Sequence, residues 1–82
     1  MTFTKGDAQQ IAQHLLAHED LLARMALVYA DGDNLGKLTL LSEAAQLPEI
    51  QPFFKTDEIL DSYACILAGF VLAIEVMNEK DA

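Results

Sequence analysis

Tryptophan is absent from this 82-residue chain, cysteine occurs once and proline twice, and only five residues are basic. Each scarcity excludes something. With Cys65 alone, no disulfide can form within the chain, and a lone thiol in an apolar segment fits a reducing compartment. Lys5, Arg24, Lys37, Lys55 and Lys80 are scattered singly against thirteen acids, for a net charge of −8. No basic patch is available to hold phosphate, so direct nucleic-acid binding is not expected, and anionic membrane surfaces are disfavoured for the same reason. The N-terminal segment MTFTKGDAQQ lacks a basic region followed by an apolar run, so no secretory signal is expected. The longest charge-free apolar run, Tyr63 to Ile74, falls short of the roughly 20 residues that span a bilayer. These readings place the chain in the cytoplasm, with no membrane partner.

Chemistry-bearing patterns are equally sparse. No serine or cysteine stands in a nucleophile setting, no glycine-rich loop follows a strand pattern, and no Glu-x-x-His motif of di-iron bundles occurs. The expectation is a non-enzymatic protein without a cofactor.

What the chain has is helical periodicity. After a short leading segment, Met1 to Thr4, the pair Thr4-x-x-Asp7 has the spacing of a capping box, with Asp in place of Glu. Ala8, Ile11, Ala12, Leu15, Leu22, Met25, Ala26 and Tyr29 recur at helical spacing and predict one helix over 7–30, with a weak point at His18-Glu19-Asp20. Asp31-Gly32-Asp33-Asn34-Leu35-Gly36 ends it. A short helix over 39–46 follows, closed by Pro48, and then an irregular connector whose Phe53-Phe54 pair is expected to plug one end of the core.

The last helix, over 57–79, organises the rest. Leu60, Tyr63, Leu67, Phe70, Ile74 and Met77 follow heptad spacing and read as its core face. Cys65, Ala68, Gly69, Leu72, Ala73 and Val76 form a second apolar face of mostly small residues, where a lone amphipathic helix would carry charge, and all of them but Ala68 are expected at a subunit or partner interface. One short hairpin cannot readily cover both faces, and small single cores rarely supply more than about 3–5 kcal/mol. The predicted fold is therefore a single all-α domain of two long antiparallel helices and a short middle one. It is expected to pair as a homodimeric helical bundle through that second face.

Three patterns could carry binding chemistry. His14 and His18 are four apart and could pinch a metal, but no third ligand is in reach on the same helix, so no metal is assigned. Asp31-x-Asp33-x-x-Gly36-x-Leu38 resembles the first eight positions of an EF-hand calcium loop. Leu35 stands at the fifth, oxygen-donating position and Ser42 where a bidentate Glu belongs, so a turn is the preferred reading. Leu38 to Phe53 has a faint helix-turn-helix look, yet its recognition segment holds Pro52 and Glu49 and no Arg, which opposes DNA reading.

The functional expectation is a small acidic interaction module, an inhibitor or adaptor that occupies a partner protein's surface. Asp31, Asp33, Asp57, Glu58 and Asp61 would form an acidic surface suited to a basic partner, as in phage-type antagonists of nucleic-acid-binding complexes. Two alternatives are a subunit of a larger assembly and a small-ligand sensor with His14, His18, Tyr29 and Tyr63 as polar handles.

Overall fold

The computed structural model of the chain describes residues 3–81, so Met1 and Thr2 of the leading segment lie outside it. Among the described residues the chain is all-helical, with four α-helices and no strand: α1 (Lys5–Leu15), α2 (Glu19–Ala30), α3 (Asn34–Ala45) and α4 (Ile59–Asp81). A 3₁₀ turn, Gln51–Phe53, lies between α3 and α4.

Thr4 opens α1 with a complete capping box. Its hydroxyl accepts from the Asp7 amide at 3.2 Å, and the Asp7 carboxylate accepts from the Thr4 amide at 3.1 Å. The helix expected over 7–30 breaks in two after Leu15, where His18 takes the non-helical values φ −119 and ψ 65. The reason lies in the apolar stripe. Ala8, Ile11, Ala12 and Leu15 are buried in α1, and Leu21, Leu22 and Met25 in α2. On one straight helix at about 100° per residue these two sets would point roughly 80° apart. The corner re-aims α2 so that both sets meet one core. Tyr29, assigned to that stripe from its spacing, is half exposed as a result.

A three-residue turn connects α2 to α3. Gly32 adopts φ 69, the left-handed conformation that glycine enters without steric cost. Asp33 caps α3, its carboxylate accepting from the Gly36 amide at 2.9 Å, so that helix starts five residues before the expected position 39. Arg24 and Glu43, 3.0 Å apart, bridge the antiparallel α2–α3 hairpin at its surface. Phe53 and Phe54 then pack against the core, Phe54 tilted on Tyr63 with ring centroids 5.4 Å apart. Ser62, a buried polar side chain of α4, fastens the connector. It accepts from the Lys55 amide at 2.8 Å and donates to the Lys55 carbonyl at 3.3 Å.

The packing of α4 corrects the two-face reading. Its buried residues are Ser62, Cys65, Ile66, Gly69, Phe70 and Ala73. That set lies between the two predicted faces and takes members from each. The partner is α1, seated so closely that a Cβ on Gly69 would stand 2.5 Å from Ile11 Cγ2 and 3.3 Å from the Ala8 carbonyl oxygen. Gly69 therefore meets α1 of its own chain, and Cys65 and Ala73 are buried in the same core. Of the five residues expected at a subunit interface, only Leu72 and Val76 keep substantial exposure.

The helices also run differently from the expected antiparallel pair. Asp7 lies by Ser62 and Cys65, Ile11 by Gly69, and Gln13 and Leu16 by Val76 and Glu79. Position rises along both helices together, so α1 and α4 are parallel.

By length and composition alone, the stretch Ile59–Glu79 is apolar enough to cross a membrane, with a mean hydropathy of 1.9 over its most apolar window. A third of that window is buried inside the fold (33%), and core helices meet the same criterion.

Gly69→Leu should cost about 1–3 kcal/mol by overpacking against α1, lowering Tm by several degrees in a chain of this size. Thermal unfolding followed by circular dichroism checks this; an unchanged Tm would contradict the close seating of Ile11.

Candidate functional site

Exposed apolar side chains lie on α2 and α3 (Leu27, Tyr29, Leu35 and Leu38) and on the side of α4 turned away from the core. Leu60, Ala64, Leu67 and Val71 recur at i, i+4, i+7 and i+11, which places them on one helical face. Leu60 is 83% exposed and Ile59 beside it 48%. Ala64 is exposed, and Leu67, Ala68 and Val71 are half-buried.

Ala64, Leu67, Ala68, Val71 and Leu72 floor a groove of ≈ 580 Å³ walled by Phe3, Lys5, Ala8 and Tyr29, while Ile59 and Leu60 lie outside it beside Asp57, Glu58 and Asp61. The Lys37 ammonium stands 4.9 Å from the Tyr29 ring centroid, a cation–π contact that steadies that wall. Asp57, Glu58 and Asp61 lie at one end of the stripe, and Glu75 and Glu79 at the other.

Leu60 and Leu67, expected on the core face from their spacing, stand about a quarter turn away from the buried side, which the small residues four apart (Cys65, Gly69, Ala73) mark. Residues so spaced let two helix backbones approach.

The other candidate residues are dispersed. Asp31 ends α2 and Asp33 caps α3, at a different corner from Asp57, Glu58 and Asp61. The five acids therefore form two groups. Because α3 starts at Asn34, the positions that would follow Asp33 in a calcium loop are already helical, and the Asp33 carboxylate is engaged by the Gly36 amide. Among the described residues, no three His, Cys, Asp or Glu side chains converge as a metal site would require.

His18 turns to Glu49, with Nε2 2.6 Å from Oε1, while His14 is exposed on α1. This contact ties the α1–α2 corner to the turn before the 3₁₀ segment. Tyr63 shares a hydrogen bond of 3.1 Å with Ser42 in a cleft that includes Phe54, whereas Tyr29 lines the α4 groove. The two tyrosines thus face different clefts. Cys65 is 1% exposed, and burial, with some help from the Asp7 charge, pushes its thiol up to about 11.

In comparisons with known proteins, the chain matches no family model, no curated protein and no solved structure.

Two measurements follow from these geometries. Cys65 should resist alkylation in the folded chain at neutral pH and react only as the chain unfolds, because both burial and the shortage of thiolate oppose attack; rapid labelling without unfolding would contradict this. Glu49 is held below its ordinary value of 4.5, chiefly by its hydrogen bond to His18. Its charged form is favoured by the fold, so the stabilisation is present above that value and lost as pH falls through the lower, folded one. Glu49→Gln should flatten this part of an acid-unfolding curve followed by circular dichroism, and an unaltered curve would show that the contact is not formed.

Proposed function

We propose that this chain is a non-enzymatic protein-interaction module that works by taking a helix of another protein against the outward face of α4. The observation that carries this reading is the stripe Leu60, Ala64, Leu67 and Val71, apolar at seam spacing, with Leu60 and Ala64 exposed and Leu67 and Val71 only half covered by the chain's own helices. Contiguous apolar surface of this kind marks interaction sites on folded chains. Its form suits a helix in particular. The stripe runs straight for about 17 Å at 1.5 Å per residue, and Ala64 and Ala68 let a second backbone approach. A module of this build acts by occupancy, as an inhibitor or adaptor does. The homodimeric bundle would use the same stripe, with a second copy as the occupant.

A photo-activated cross-linker at Ala64, with one at the exposed Ala23 of α2 as control, tests the reading in the native cell extract. Adducts from position 64 are expected to map to a helix of another protein. They should be lost in a Leu60→Gln, Val71→Gln chain that keeps its helical spectrum. Losing two buried aliphatic side chains should weaken the complex by about 3 kcal/mol, roughly a hundredfold in Kd. Equal adducts from both positions, or adducts indifferent to the double substitution, would remove the stripe from the interaction. Adducts to the chain itself would make the homodimer the occupant.

A further inference from the structure

We propose that the connector between α3 and α4 is a strap that opens on its own while the four helices stay folded, and that the Ser62 hydroxyl is the clasp that holds it shut. The inference uses no residue of the apolar stripe and stands apart from the docking reading.

The strap is the segment 51–58, QPFFKTDE. It runs between two fixed points, Ile50, which is fully buried in the core, and α4, whose buried side begins at Ser62. Between them no residue is buried. Phe53, Phe54 and Glu58 are partly covered, and the other five are exposed. The backbone bonds of the segment are local as well. Phe53 donates to the Ile50 carbonyl at 2.9 Å, and Phe54 to that of Gln51 and Glu58 to that of Lys55 at 3.0 Å. Bonds between near neighbours move with the segment and do not tie it to a helix.

What ties it down is a small set of side chains. Phe53 and Phe54 rest on the core, with Phe54 tilted against Tyr63. Ser62 supplies the remaining hold. It is 4% exposed, and its single hydroxyl engages both the amide and the carbonyl of Lys55, seven residues back. Opening the strap therefore breaks two hydrogen bonds and uncovers two half-buried rings, whereas global unfolding takes apart the whole core. Segments with few buried contacts open at lower free energy than the core that carries them.

The cleft beneath shows what the strap covers. Pro52, Phe53 and Lys55 line a cavity of ≈ 210 Å³ together with Asp61, Ser62 and Cys65 of α4, and with Phe3 and Asp7. Lifting Pro52 to Lys55 removes that wall and uncovers Cys65, one helical turn beyond the clasp. The unfolding that Cys65 needs before it reacts is thus that of the strap. The chain gains a second, open form in which Phe53, Phe54 and this shoulder of α4 are accessible while the helices stand.

The test labels Cys65 of the full chain with a thiol reagent at urea concentrations below the unfolding transition. With reclosing fast against labelling, the rate reports the open population. Strap opening exposes little surface, so the rate should rise far less steeply with urea than the global unfolding constant from circular dichroism. Ser62→Ala removes both bonds to Lys55 and should speed labelling about tenfold, with the slope still shallow. Ala26→Gly weakens α2 through its backbone preference and should leave labelling unchanged.

A urea slope equal to that of global unfolding would overturn the proposal. So would Ala26→Gly speeding labelling in proportion to the stability it loses. Unchanged labelling in Ser62→Ala would overturn the assignment of the clasp. If Ser62→Ala does not fold, exchange of the Lys55 amide in the unsubstituted chain decides, since it should share the shallow slope of Cys65 labelling and a steep one would overturn the proposal.

Discussion

The contact between Ile11 and Gly69 is the constraint on which the fold depends. A glycine inside a helix costs about 1 kcal/mol against alanine, and a Cβ at this position would overlap Ile11. What the glycine provides is the approach of α1 to within reach of α4's backbone. Once α1 occupies that side, Cys65, Ile66, Phe70 and Ala73 are buried together and the rotation of α4 about its axis is set. The same rotation turns Leu60, Ala64 and Val71 outward. The core and the candidate docking face are therefore two results of one helix–helix contact.

Much of the helical architecture was legible from spacing. The last helix, the capping box at Thr4 and Asp7 and the stop at Gly32 rest on local rules, and local rules read well from sequence. The break after Leu15 was only half legible, because His18-Glu19-Asp20 interrupts the stripe without a proline or glycine. What forces the corner is Leu21, whose burial requires the second half to turn; that is a tertiary demand. The start of α3 was missed because Asp33 and Asn34 were read as turn residues, although Asp is also a strong N-cap.

Which face of α4 is inside was not legible, and the reason is physical. Apolar residues surround this helix, so hydrophobicity alone does not distinguish a buried side from an exposed one. Heptad spacing occurs twice, at Leu60-Tyr63-Leu67-Phe70 and at Leu60-Ala64-Leu67-Val71, and both sets share Leu60 and Leu67. Small residues four apart occur on both sides, and what distinguishes the buried one is Gly69, where a Cβ would stand 2.5 Å from Ile11 Cγ2. The candidate site was hidden behind the same ambiguity, since Leu60 and Leu67 read as core by spacing while Ala64 and Val71 fall on neither expected face.

The parallel course of α1 and α4 gives the molecule an electrical polarity. Aligned peptide dipoles leave roughly half a positive charge at each helix N-terminus and half a negative charge at each C-terminus. Parallel helices add these instead of cancelling them. Asp7, Asp57, Glu58 and Asp61 gather at the shared positive pole, where part of their charge is offset. Glu75 and Glu79 lie toward the negative pole and reinforce it. The poles thus offset the unequal number of acids, four at one end and two at the other, and the two ends present an approaching cation with fields of nearly the same strength.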